Sequence, residues 1–501
     1  MYSKTGLFFG AVVIVLSGVF LSAAVGFAQS PSLPSVLEGR GSGSSAGPAL
    51  PSGLGEDDVE QQATSQPGLP PGLNGSKKTF SEEVATPEKT AGWWTLSEDG
   101  EGYAELRSGA RLKEDPVQDE VSLAEARLQM SYDKYLPEIL PRGNFRFTGD
   151  LIYDATVSDH NDVDLEEGRG FFDLRELWLS LTPLEFLDIK AGRQILTWGT
   201  GNLLFLNDLF PKDYQSFFLG RDVDYLKAPS DALKASFYSD LLNVDIVYTP
   251  RFDPNRFVDG SRLSFYDPTL GGLRGEDHPM EIDRPDAWFD DDEIALRIYR
   301  NLGTYELALY AYDGFWKGPA GTDPVSGKRT FPQLSVAGAS IRGTVGAGIG
   351  SLEFALYDSR DDQDGDDPFV QNSEWRFLAG YEQEVAVDLT VGVQYYIEYM
   401  LDYGAYRRNL PAGFPAREED RHWITLDLTQ ELLAQNQLVL SLFTFYDLSV
   451  DDVYLRPKAT YDITDNWQAQ LGANIFLGNE DTFFGQFQEN TNVYAGLRYS
   501  F

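Results

Sequence analysis

Thr491-Asn-Val-Tyr-Ala-Gly-Leu-Arg-Tyr-Ser-Phe501 alternates between two kinds of side chain up to the last residue. Val493, Ala495, Leu497, Tyr499 and Phe501 fall on one face, and Asn492, Tyr494, Gly496, Arg498 and Ser500 fall on the other. Successive strand side chains point to opposite faces, so this spacing reads as a β-strand with one apolar and one polar surface. A half-buried soluble strand has the same period. A lipid-facing strand also accounts for the free aromatic carboxylate at Phe501.

Upstream, Lys4 leads into an apolar run from Leu7 to Phe27, closing on Gly26-Phe-Ala28 before Gln29. A charged start, an apolar stretch and small residues at its end read as a secretory signal, residues 1–28, with cleavage after Ala28. An uncleaved inner-membrane helix is the rival, because the run is nearly long enough to span a bilayer. The sequence has no Cys, which excludes a lipoprotein anchor and a disulfide framework. Residues 29–95, with PSLPS, GSGSSAGPALPSG and PGLPPGLNG, hold too few large apolar side chains for a core and read as a disordered periplasmic linker.

The ending of the chain resembles the C-terminal signature of bacterial outer-membrane β-barrels. That resemblance implies that Tyr499 and Phe501 are read by the barrel assembly machinery. From residue 96 to 501 the sequence fits such a barrel. Alternating segments are separated by short turns near 136–143, 182–184, 239–240, 301–303, 346–350, 385–387, 434–436 and 464–465. Between these fall long polar connections, roughly 157–170, 199–231, 251–291, 316–331, 359–372, 402–420 and 478–490. Short turns on one side and long loops on the other are the habit of outer-membrane barrels. The fold class expected is therefore all-β, a transmembrane antiparallel barrel of about 18 strands, an even number with both ends periplasmic. If segments 102–112 and 121–135 lie outside the wall, 16 remain. Either size is wide enough for an aqueous channel.

Within the segments the two faces differ in kind. Trp467, Ala469, Leu471, Ala473, Ile475 and Leu477 oppose Gln468, Gln470, Gly472 and Asn474. Leu389, Val391, Val393, Tyr395, Ile397 and Tyr399 oppose Thr390, Gly392, Gln394 and Glu398. A polar inner face implies a wet interior. Trp288, Phe289, Trp316, Trp375, Trp423 and Trp467 stand near segment ends and suit interfacial girdles.

The connection 199–231 is too apolar to extend into water. Leu203, Leu204, Phe205, Leu206, Leu209, Phe210, Phe217 and Phe218 are expected to pack on the barrel wall. That leaves Asp208, Lys212, Asp213, Arg221, Asp222 and Asp224 to line a narrowed pore. Capping the mouth from outside would bury a similar area and stands as the alternative. Ahead of it, Gly192-Arg-Gln-Ile-Leu-Thr-Trp-Gly199 resembles a family of largely uncharacterised porin-like proteins that includes alginate-export-like barrels. The resemblance implies a passive diffusion channel or exporter and supplies no substrate site.

Inward-facing charges sort by position. Arg107, Arg111, Arg127, Arg146, Arg456, Lys458 and Arg498 come from the first and last strands, which meet when a barrel closes. Glu306, Glu382, Glu398 and Asp427 come from the middle strands. Two such sectors would set a transverse field across the pore. Local pairing is the competing reading, because Glu105, Glu125 and Asp150 share the basic sector while Arg297 and Arg376 interrupt the acidic one.

The formal net charge of −38 makes nucleic acid an unsuitable partner. Acidic outer loops suit divalent cations that bridge to lipopolysaccharide. Asp358-Ser-Arg-Asp-Asp-Gln-Asp-Gly-Asp-Asp367 fails the calcium-loop pattern: with Gly365 at the turn, Arg360 takes the first ligand position and Gln371 the closing one. His160, His278 and His422 have no metal-ligand spacing, and no nucleophile motif occurs. No catalysis, cofactor or metal is expected. The function expected is a porin-like channel for small hydrophilic solutes or ions, against the alternative of a non-conducting surface or adhesion barrel.

Overall fold

The computed structural model describes residues 100–501 apart from 137–139, 141, 158–159, 269, 415 and 434–436. The signal peptide, the linker and the turn at 434–436 lie outside the described residues.

Eighteen wall strands follow in chain order: β1 Gly100–Arg111, β2 Val121–Tyr135, β3 Asn144–Asp154, β4 Phe172–Leu184, β5 Leu187–Ile195, β6 Pro229–Phe237, β7 Asn243–Thr249, β8 Glu293–Leu302 and β9 Tyr305–Phe315. Then come β10 Gln333–Val345, β11 Gly348–Ser359, β12 Glu374–Ala386, β13 Leu389–Met400, β14 Asp420–Leu432, β15 Leu438–Asp447, β16 Asp452–Asp462, β17 Trp467–Leu477 and β18 Asn492–Ser500. Each pairs antiparallel with its sequence neighbours. The ring closes where β18 meets β1, in register from Tyr103 opposite Ser500 to Arg111 opposite Asn492. Because β1 pairs with both β2 and β18, the first two segments belong to the wall and the count is 18, not 16.

Turn chemistry fixes the short end. Gly303, Gly346 and Asp388 take positive φ of 64°, 61° and 57° in the tight turns β8–β9, β10–β11 and β12–β13, as hairpin turns that follow strand twist require. At the opposite end the connections run long, although two that the sequence did not mark, 112–120 and 448–451, are brief.

Strand parity decides which side chains face out. Along β17, Leu471 is 62 % exposed, while Gln470 and Asn474 on the other face are buried. The same holds for Val393 against Gln394, and for Leu497 against Tyr494. Exposed Leu, Val, Phe and Tyr therefore form a continuous outer band, which water would not tolerate on this scale and lipid does. The protein is a transmembrane β-barrel.

The inner face is less uniformly polar than its sequence suggests. Tyr312, Tyr357, Tyr396, Phe443, Phe445, Tyr454 and Phe476 point inward and are buried. Trp316 and Trp423 join them rather than a girdle. Trp316 lies 5.5 Å from the Tyr357 ring and Trp423 5.5 Å from that of Phe484. Trp423 finds Phe484, which the connection between β17 and β18 brings inward, whereas Trp316 packs on Tyr357 of the wall itself. Trp375, Trp467, Trp288 and Phe289 are exposed.

Candidate functional site

Ile195 ends β5, and the chain does not re-enter the wall until Pro229. Along the way it bonds to inward-facing residues of many strands. Near its start, the Gly201 N–H (2.9 Å), the Thr200 N–H and Asn207 Nδ2 (2.9 Å) all donate to the Glu353 carboxylate of β11. Tyr357 Oη of the same strand donates to the Leu206 carbonyl at 2.6 Å. Asn202 Nδ2 donates to Asp427 of β14 at 2.5 Å. Gly199, at φ 80°, leaves room for Glu353: a Cβ there would meet Oε1 at 3.2 Å.

The middle of the connection is apolar and packs as expected. Leu204, Leu206, Phe210, Phe217 and Phe218 are buried in one cluster with Val336, Tyr357, Leu378, Tyr454 and Phe476 of the wall. A single helical turn, Tyr214–Phe218, is capped by Asp213, which accepts from the Ser216 N–H at 2.7 Å. That bond satisfies one of the N–H groups that a helix start leaves open. Phe218 then stacks edge-on against Tyr454 and Phe476, each at 5.4 Å.

The last third meets the seam formed by β16 to β18 and β1 to β4. Gly220 takes φ 84° against the Tyr494 ring, and Arg107 Nη1 donates to its carbonyl at 2.7 Å. Arg221 pairs with Glu125. Asp222 pairs with Lys458 at 2.7 Å, with Arg107 at 3.4 Å and with Arg498. Burial against the seam would raise the Asp222 carboxyl, but Lys458, Arg498 and Arg107 together hold it well below the usual carboxylate range. The guanidinium groups of Arg127 and Arg175 stand over the Tyr225 ring, at 4.5 and 4.6 Å from its centre. Its hydroxyl meets Asp150 (2.7 Å), Gln129 (2.8 Å) and Tyr103 (2.6 Å). Burial pushes the Tyr225 phenol well above its ordinary value.

Three of the six residues expected to line a pore do not. Asp208, Lys212 and Asp213 are buried. Lys212 Nζ donates to Asp208 (2.9 Å) and to the Phe210 carbonyl (2.8 Å), so the connection neutralises its own charges. Asp213 is taken up by the helix cap and by Arg256 at 3.3 Å. Arg221 and Asp222 are partly open, and Asp224 is exposed.

The seven basic residues converge on the seam, and six of them pair with carboxylates. Arg107 and Arg498 share Glu105 at 2.8 and 3.0 Å, and Arg127 pairs with Glu125 at 2.9 Å and with Asp150. Arg146 binds Asp133 and Glu176 at 2.8 and 2.7 Å, Arg111 lies 3.9 Å from Asp115, and Lys458 holds Asp222. Arg456 instead donates to the Arg221 carbonyl and stands 4.4 Å over the Phe217 ring. On the acidic side, Glu306 pairs with Arg297 at 2.5 Å, and Glu398 with Arg421 at 3.5 Å and Arg376 at 3.8 Å. Asp427 accepts from Asn202, and Glu382 has no ion pair among the described residues. Pairing therefore describes most of these charges.

Tyr225, Glu353 and Asn202 were not singled out by the sequence. Only Glu353 left a trace, as a carboxylate between outward Leu352 and Phe354. Asp362 of the acidic loop accepts from the Asp366 and Asp367 N–H groups at 3.0 and 3.3 Å. Among the described residues no group of three or more His, Asp or Glu is arranged to hold a metal. His422 meets Asp420 at 2.8 Å and Tyr395 at 2.5 Å, and His160 stacks on Tyr153 at 4.8 Å.

A closed barrel of even strand number, apolar outside and charged within, defines a bacterial outer-membrane protein of porin-like architecture. No family model matches the sequence, and no curated protein matches it. Among solved structures the chain is similar to OprB of Pseudomonas putida, at 13% identity over 80% of this chain and 94% of that one, with a TM-score of 0.38. It is similar also to Salmonella typhi OmpF in complex with daunomycin, at 11% identity over 80% and 97%, with a TM-score of 0.40. Acinetobacter baumannii OccAB3 gives 10% identity over 80% and 99%, with a TM-score of 0.48. None of these adds support for the alginate-export-like resemblance of Gly192–Gly199.

Proposed function

We propose that this protein is a passive outer-membrane channel for small hydrophilic solutes or ions, narrowed by the connection between β5 and β6. The observation that carries this reading is the band of bonds from that one connection to inward side chains on distant strands. Glu353 and Asp427 hold one end of the band, and Lys458, Arg498 and Asp150 hold the other. Glu353, Asp427, Lys458 and Asp150 lie inside their strands and not at the ends that carry the long connections, which supports an inward course for this segment over a cap resting on the mouth. Arg221, Asp222 and Asp224 then front the remaining passage, with the seam cations behind. On this reading Tyr499 and Phe501 mark the last strand for the assembly machinery, and the acidic outer loops meet lipopolysaccharide through divalent cations.

Single-channel recording in a planar bilayer tests the reading, with the protein lacking residues 1–28. Stable conductance steps are expected, and they should grow when the connection is shortened within 199–231. Inserted barrels that pass no current would show the reading to be wrong and favour a non-conducting surface barrel.

A further inference from the structure

Asp222 differs from every other carboxylate at the seam. Glu105, Glu125 and Asp150 are fixed on wall strands, whereas Asp222 comes from the connection and meets three cations at once. We infer that Asp222 sets the ion preference of the passage, by holding in balance cations that the wall itself leaves under-neutralised. This deepens the channel reading and rests on it.

Removing the Asp222 charge leaves the three cations unequal. Arg107 and Arg498 would fall back on the single carboxylate of Glu105, 2.8 and 3.0 Å away. Lys458 would have no ion pair left among the described residues. The side chains of Lys458, Arg498 and Asp222 keep 22%, 18% and 17% of their surface open, while those of Arg107 and Glu105 keep 2–3%. The balance therefore tips at the layer that meets water. An uncompensated wall charge acts on ions over about 8–10 Å in physiological salt, and low-dielectric walls focus its field.

Two other seam cations have a second carboxylate to fall back on: Arg127 meets Asp150 as well as Glu125, which it shares with Arg221, and Arg146 meets Asp133 and Glu176. Asp222 is also firmly placed. Gly220 permits the sharp approach to Tyr494 on one side, and Tyr225 is gripped by the wall on the other. The residue that sets the sign of the field is thus carried by the segment that narrows the passage.

Reversal potentials across a salt gradient decide the matter, measured on the native protein and on Asp222→Asn, Asp222→Glu and Lys458→Met. Asp222→Asn should raise anion over cation permeability several-fold. Lys458→Met should move it the other way, and Asp222→Glu should stay near native. A conducting native channel whose reversal potential is indifferent to these changes overturns the inference and spares the channel reading. A silent native barrel overturns both. If Asp222→Asn yields no folded, heat-modifiable barrel, Lys458→Met decides alone by the direction of its shift.

Discussion

Lys212 and Asp208 show how one residue can be necessary to the connection without touching the passage. Both side chains are almost wholly buried, at 2% and 1% exposure, and their separation is 2.9 Å. Burial lowers the Lys212 pKa, and the Asp208 carboxylate opposes that drop. Breaking a buried ion pair by removing one partner typically costs about 3–5 kcal/mol, because the other charge is stranded. Asp208→Ala should therefore loosen the connection by a cost of that order, less whatever Lys212 recovers by giving up its proton. Limited proteolysis should show new cleavage within 199–231 while the wall stays resistant to denaturation without boiling. Asp208→Asn combined with Lys212→Met removes both charges together and should restore most of the protection. If the single variant is no more sensitive than the native protein, the pair has no part in holding the connection.

Among the long connections, the one between β7 and β8 carries a titrating clamp. Asp253 accepts from Ser230 Oγ at 2.8 Å and from the Asp231 N–H at 2.9 Å. Lys317 Nζ bridges the Asp253 carbonyl at 2.9 Å and Glu293 at 2.6 Å. Burial, and then the charge of Glu293, push the Asp253 carboxyl up to about 6. In the unfolded chain an Asp titrates near 3.9, roughly its ordinary value, so between these values the folded protein binds the proton more tightly. The associated stabilisation is complete below about pH 4 and is lost as pH rises through about 6. A difference of that size between the folded and unfolded chain is worth about 3 kcal/mol at most. Hydrogen exchange of the amides of 251–259, corrected for intrinsic rate, should show more protection at about pH 5 than at about pH 7, with Asp253→Asn removing the difference. Equal protection in the native protein at both pH values would contradict this account.

Parity made the elements legible. The short turns read at 239–240, 301–303, 346–350, 385–387 and 464–465 fall at strand junctions, and that at 182–184 falls in the last residues of β4, with the turn itself at 185–186. Those at 136–143 and 434–436 lie partly or wholly outside the described residues, and the alternation in β13, β17 and β18 matches the observed faces. Trp423 was within reach of the same rule, since it shares the parity of Asp427, which the sequence placed inward. Parity says which way a side chain points and nothing about what will meet it there. Tyr225 was beyond reach for that reason. Its partners Gln129 and Tyr103 are 96 and 122 residues away, and they become neighbours only once the connection lies across the seam.

Across the whole molecule, the membrane assignment rests on the difference between outer and inner faces, and adjacent residues of one strand can test it. Val393 points outward and is 45% exposed. Gly392 points inward, and a Cβ added there would lie at ordinary contact distance, 3.5 Å from the Asp427 Cβ and 3.9 Å from the Glu382 Cγ. Both positions lie well inside β13 and share its backbone pairing with β12 and β14. An Arg on the lipid face near the bilayer midplane costs about 2–4 kcal/mol, because its charge must leave water for hydrocarbon. Val393→Arg should lower the folded fraction in lipid vesicles by a free energy of that order, read from urea titrations of the heat-modifiable band. Gly392→Arg should cost far less, since it places a cation beside the two lumenal carboxylates of Glu382 and Asp427. A soluble closed barrel would respond in the reverse order, because water receives an outward Arg readily and a crowded interior does not. The ranking of the two variants thus distinguishes a wall that faces lipid from one that faces water.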